Sequence, residues 1–160
     1  MAIDYNGVTD CIVQYLKHMN REGIEFTILS TVTVHPDFDK LFQELGCRME
    51  RIEIRKEHPL RYMFRLAKLV RREKFDIVHA HGNSATMFFD MAGAKLGGLQ
   101  DQDAHGHSTS CGNQKLDRLL RPFFYHSYNA GGCLWEKGGR MAVCWEKIQD
   151  SSKWKRTGGI

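Results

Sequence analysis

Short apolar runs alternate with amphipathic stripes along this chain, and that alternation constrains its fold more than any other feature. From Gly7 to Met19 the apolar positions Val8, Ile12, Tyr15, Leu16 and Met19 follow helical spacing. Thr9 or Asp10 can cap that helix, and Gly23 follows as a left-handed stop. Ile24 to Ser30 reads as a strand. Pro36 opens a second helix carrying Phe38, Leu41, Phe42 and Leu45, closed by Gly46, and Met49 to Ile54 reads as a second strand. Pro59 starts a third helix, with Leu60, Met63, Phe64, Ala67 and Val70 as its apolar stripe. Phe75-Asp76-Ile77-Val78-His79 is a buried-strand run, Ser84 to Leu96 a helix ended by Gly97-Gly98, Leu99 to His105 a strand position, and Lys115 to Tyr128 a helix containing Pro122. Strands separated by helices of this length predict βαβ units, hence a parallel sheet flanked by helices. At 160 residues the chain is long enough for one such domain, placed at 1–144, with an irregular tail at 145–160.

The balance of 42% hydrophobic and 26% charged residues is that of a globular chain, not a disordered one. No apolar run approaches the length of a membrane span. The first residues lack the basic and apolar regions of a secretory signal. Five cysteines (11, 47, 111, 133, 144) contain no C-x-x-C pair, which suits reduced thiols in a cytoplasm better than a disulfide framework or zinc site. The net charge of +4 is unevenly distributed: Arg48 to Lys74 holds ten Lys/Arg against four Glu, so the rest of the chain is slightly acidic. Nucleic acid, an anionic membrane surface or a phosphorylated substrate would each answer to such a stretch, and so would a plain solvated helix face.

Two His-x-His pairs, His79-Ala80-His81 and His105-Gly106-His107, fall where strands of a parallel sheet end, which is where open α/β sheets bind ligands. Each is followed by small polar residues, Gly82-Asn83-Ser84 and Ser108-Thr109-Ser110, and Ser84 can cap the next helix. Imidazoles at alternating strand positions can converge on a divalent ion, although no carboxylate stands at a readable ligand spacing. Alternatively they can hydrogen-bond a sugar or phosphate. Asn6-Gly7 ahead of the first helix suits the second reading, because glycine admits close approach and a helix start offers amides to an anion.

Several of these segments resemble glycosyltransferase family 4. Asn6-Gly7-Val8-Thr9-Asp10 is similar to that family's glycine-rich turn, Phe75-Asp76-Ile77-Val78-His79-Ala80-His81 to its Asp-Ile-Val-His-x-His strand, and Ala104-His105-Gly106-His107-Ser108-Thr109 to its Ala-His-Ser-His-x-Thr segment. Leu119-Leu120-Arg121-Pro122-Phe123-Phe124-Tyr125 and Glu136-Lys137 continue the match in order, in the manner of bacterial capsular and exopolysaccharide members. The resemblance implies a GT-B enzyme of two Rossmann-like domains, of which this chain is the amino-terminal, acceptor-side one. Such enzymes move a sugar from a nucleotide-sugar to a glycan or lipid-linked acceptor with retention of configuration, without metal or other cofactor.

Carried over, His105 is the catalytic-site histidine on the transferred sugar. Asn6, Gly7, His79, His81, His107 and Ser108 are substrate-binding. Arg61, Arg65, Lys68 and Arg72 would meet a membrane or another anion. No nucleic acid is expected as a partner, and the expected location is cytoplasmic, peripheral at the inner membrane face. The family pattern also sets an apolar strand before the glycine turn, where five residues precede Asn6, and it places the diphosphate-binding groups in a carboxyl-terminal domain with no counterpart in Trp145 to Ile160. The expectation is therefore a truncated enzyme, a fragment of one, or a subunit completed by a partner chain, inactive alone. Leu99-Gln100-Asp101-Gln102-Asp103 departs from an apolar strand, and a carboxylate buried there without a partner would cost several kcal/mol, at about the scale of an unpaired buried ion. A small phosphate- or metal-binding α/β protein is the alternative.

Overall fold

The alternation resolves into a six-stranded sheet with helices on both faces, the Rossmann-like α/β architecture expected. The computed structural model describes residues 3–82, 84–106, 114–127, 130–133 and 146–148. Its elements run α1 (Gly7–His18), β1 (Ile24–Ser30), α2 (Pro36–Glu44), β2 (Arg48–Arg51), α3 (Pro59–Glu73), β3 (Ile77–Gly82), a 3-10 turn (Ala85–Met87), α4 (Phe88–Leu96), β4 (Asp101–Gly106), α5 (Gln114–Tyr125), β5 (Ala130–Cys133) and β6 (Glu146–Ile148). The strand order is β2-β1-β6-β3-β4-β5. β1 and β2 pair in parallel, as do β3, β4 and β5, while β6 runs antiparallel to both β1 and β3. All strands but β6 therefore point one way, and their carboxyl ends share one edge. β6 falls in the stretch expected to be an irregular tail; a run of three residues is too short to display a period of two.

Two cores lie against the two faces. Val13 and Leu16 of α1, Phe26 and Ile28 of β1, Phe42 of α2 and Cys47 form one. The larger joins Tyr62, Leu66, Leu69 and Val70 of α3 and Met91 and Ala94 of α4 to Val78 and Ala80 of β3, with Leu29 and Ile52 reaching in from the β1–β2 side. Strand alternation puts Val78 and Ala80 in this core and turns His79 and His81 to the opposite face.

Several local expectations shift by a residue or more. The cap of α1 is Asn6, not Thr9 or Asp10: its Oδ1 accepts from the amides of Val8 and Thr9, both at 3.1 Å. The buried residues of α1 are Thr9, Val13 and Leu16; of the expected stripe Leu16 is buried, Ile12 and Met19 are partly buried against the same core, and Tyr15 is exposed. β2 ends at Arg51, so Ile52 packs from the residue just beyond the strand and Ile54 from the turn that follows. Ser84 caps the 3-10 turn that leads into α4, its Oγ accepting from the Thr86 amide at 3.3 Å. Asp101 opens β4 exposed to solvent, so the burial cost anticipated for it does not arise. Gln102 has a buried polar side chain, donating Nε2 to the Leu99 carbonyl.

Candidate functional site

The carboxyl edge of the sheet gathers the features singled out by sequence. β3 and β4 pair in strict parallel register, so His79 stands opposite Asp103, His81 opposite His105 and Gly82 opposite Gly106. The four histidine and aspartate positions thus occupy one patch of two adjacent strands. The His79 and His81 rings stack with centroids 4.9 Å apart and planes 8° from parallel. His79 is 7% exposed and His81 half-buried. His107 and Ser108 lie outside the described residues. Among the described residues no group of three or more His, Cys, Asp or Glu side chains is placed to hold a metal ion.

Asn6 and Gly7 reach the same edge by another route. Ile3 bridges in parallel to Val34, just past the end of β1, with the Ile3 amide donating to the Thr33 carbonyl and the His35 amide to Ile3. The chain then turns through Asp4 and Tyr5 into α1, which runs back to the start of β1. The first amides of α1 are engaged by the Asn6 carboxamide, so an anion binding there would have to displace that side chain. Gly7 has no internal reason to be glycine. A Cβ at this position meets nothing within 4 Å among the described residues, and its backbone does not need the left-handed region. Space above Gly7 is what a closely approaching ligand would use.

Buried polar residues that sequence reasoning missed brace this edge from below. Asp90, 6% exposed on α4, takes a bidentate pair from Arg55, Nε at 3.1 Å and Nη2 at 2.5 Å, and accepts the Tyr62 hydroxyl at 2.6 Å. The same guanidinium donates to the Thr86 carbonyl. Burial drives the Tyr62 phenol well above its ordinary value of 10, and the neighbouring Asp90 carboxylate adds to the rise. Asp117, buried on α5, accepts the Ala85 amide at 2.7 Å and pairs with Arg121 at 2.8 Å. Both aspartates therefore hold the 3-10 turn that follows His79-x-His81. The readable signal was Asp90 itself, a lone carboxylate inside Phe88-Phe89-Asp90-Met91-Ala92, which a buried helix accepts only with a partner.

The basic residues form a separate surface. Arg61, Arg65 and Lys68 are exposed on α3. Arg72 is exposed as well but engaged, pairing with Glu50 and Glu73 at 3.0 and 2.6 Å; Arg72 and Arg48 together hold the Glu73 carboxyl below its usual range.

Compared with known families, residues 6–130 match the model described as a glycosyl transferase 4-like domain. No curated protein and no solved structure matches the chain. The family match begins at the Asn6 cap, spans β1 to β4 with the paired histidine positions, and ends at the first residue of β5. The chain belongs to the family of glycosyl transferase 4-like domains.

Proposed function

We propose that this chain is the amino-terminal, acceptor-side domain of a retaining GT-B glycosyltransferase, moving a sugar from a nucleotide-sugar to a glycan or lipid-linked acceptor. The observation that carries the reading is the β3–β4 register, which sets His81 beside His105 at the ligand-binding edge of a domain in this family. His105 contacts the transferred sugar, and His79, His81, His107 and Ser108 orient its hydroxyls or those of the acceptor. Gly7 leaves room for the donor phosphates beside the head of α1. Much of the rate of such transfer comes from stabilising the departing nucleotide diphosphate. In this reading those groups come from a second domain, so residues 1–160 bind without turning over.

Saturation-transfer NMR of the 160-residue chain against uridine, guanosine and adenosine diphosphate sugars and short glycans tests the proposal. At least one sugar should receive saturation; His105→Ala should weaken it about tenfold, the loss of one or two polar contacts, and Gly7→Val should weaken it by filling the space a ligand would use. No transfer to any sugar overturns the reading. Release of nucleotide by the chain alone overturns the need for a second domain. Stoichiometric zinc or manganese in the purified protein would instead support the metal-binding alternative for the two His-x-His pairs.

A further inference from the structure

We propose that Tyr5, with His35, Asp37 and Phe38, is a platform for an uncharged sugar ring, holding a unit of a glycan set back from the one being joined. Tyr5 is 73% exposed, so burial does not explain its placement. It is nevertheless fixed from several sides. Its hydroxyl donates to Asp37 Oδ2 at 2.6 Å, and its amide donates to Asp4 Oδ1 at 2.8 Å. The His35 and Phe38 rings meet it with centroids 5.4 and 5.0 Å away and planes inclined by 66° and 65°. Neither neighbour lies flat on the Tyr5 ring, which leaves an open aromatic face. The segment is held in turn by the Ile3–Val34 bridge, and Asn6 Nδ2 donates to the Asp4 carbonyl at 3.0 Å. A loose exposed tyrosine would have to be ordered by its ligand; this one is ordered already.

The chemistry around the ring selects the occupant. Two exposed aspartates, Asp4 and Asp37, bond to Tyr5, and no lysine or arginine precedes Lys17. A phosphate or a uronate ring would be repelled there; an anion is better placed two residues on, at the positive end of α1. An aromatic face beside a carboxylate fits a ring with an apolar C–H face and hydroxyls at its rim. The face stacks on Tyr5, and a hydroxyl donates to Asp37, whose carboxylate accepts several hydrogen bonds at once. Position separates this ring from the reacting one. Asp37 and Phe38 lie on α2, which packs on β2 at the edge of the sheet, whereas His81 and His105 stand on β3 and β4. β1 and β3 are two strand spacings apart, about 10 Å, with β6 between them. A sugar on Tyr5 is therefore a further unit of an oligosaccharide whose end lies at the histidines. The choice of a sugar over another uncharged ring rests on the glycosyltransferase proposal; the platform itself does not.

Titration of the full chain with neutral oligosaccharides tests it, using short and longer members of the glucose, galactose, mannose and N-acetylglucosamine series, with oligogalacturonate as the charged counterpart. At least one neutral series should tighten about tenfold from the single sugar to its longer members, the contact of one stacked ring, and the uronates should not. Tyr5→Ala should abolish that gain, and Asp37→Ala should reduce it several-fold. Tyr5→Trp keeps a ring without the phenol hydroxyl and should retain the gain within about threefold, which a merely structural role through the Asp37 hydrogen bond would not allow. Tyr125→Ala, at a similarly exposed tyrosine on α5, should change nothing. Tyr5 and Asp37 are exposed, so unchanged circular dichroism is expected to accompany the losses. Binding of single sugars and of nucleotide-sugars should survive Tyr5→Ala. The proposal is overturned by a gain that persists in Tyr5→Ala, by one lost equally in Tyr125→Ala, by uronates that bind as well as neutral sugars, or by nucleotide-sugar binding that falls with Tyr5→Ala. Absence of any length-dependent binding overturns it too. In that case nucleotide-sugar saturation that still depends on His105 keeps the glycosyltransferase proposal standing, and its loss as well ends both.

Discussion

At the scale of single residues, the strongest constraint on this molecule is Asp90. A carboxylate 6% exposed inside an apolar helix is tolerable because Arg55 meets both its oxygens and Tyr62 donates to one of them. Removing the carboxylate strands a guanidinium that is itself three-quarters covered. Asp90→Ala should therefore cost about 3–5 kcal/mol, the range for breaking a buried ion pair. Tyr62→Phe, which removes one hydrogen bond and leaves the pair intact, should cost about 1–2 kcal/mol. Urea unfolding of the two variants checks both values, and equal costs would mean that the pair contributes nothing beyond the phenol contact. This network was only half legible. Asp90 announces itself by its apolar neighbours, but Arg55 lies 35 residues earlier in a turn, and no spacing rule connects the two. The histidine positions were legible because strand alternation and parallel register are local rules; that His81 and His105 stand opposite each other follows once both strands start where they do.

At the scale of elements, α3 shows where periodicity misleads. Leu60, Met63, Phe64, Ala67 and Val70 have helical spacing, and so do Tyr62, Leu66, Leu69 and Val70; a period alone cannot say which line faces the sheet. The choice is made by α4, whose glycines let it come close. A Cβ on Gly93 would lie 2.9 Å from the Met63 carbonyl oxygen, and one on Gly97 2.6 Å from both Cβ and Cγ1 of Val70 and 3.0 Å from the Ala67 carbonyl oxygen. The two helices meet along backbone, with the Tyr62–Leu66–Val70 side turned inward. Gly97 has φ of −71°, a value alanine adopts freely, so propensity and packing predict opposite signs for Gly97→Ala. Alanine would gain up to about 1 kcal/mol at an unconstrained helix position. Overpacking against Val70 would cost about 1–3 kcal/mol. Val70 is 2% exposed and has no room to retreat, so net destabilisation of about 1 kcal/mol or more is expected from chemical denaturation. A stabilised variant would show that α3 and α4 separate easily.

At the scale of the whole molecule, the sheet is unevenly knitted. β3 and β4 pair over six residues, and β1 and β2 over four. Between these blocks stands β6, which pairs three residues of β1, Ile24 to Phe26, and a single residue of β3, Ile77. The strand ladder therefore couples the halves weakly, and the coupling that counts passes through the larger core, where Leu29 and Ile52 from the β1–β2 side join α3 and β3. Stability should follow that division. Amides of β3, α3 and α4 sit over the larger core and should open only with global unfolding, whereas α1, α2 and β2, covering the smaller core, should open at lower free energy as a separate unit. Native-state hydrogen exchange resolves the two classes. Leu29→Ala should widen the gap between them, because it removes about 2–5 kcal/mol of burial at the junction while leaving each block's own ladder intact. If Leu29→Ala instead lowers the protection of all six of these elements equally, the halves are one cooperative unit, and β6 couples them more firmly than its four residue pairings suggest.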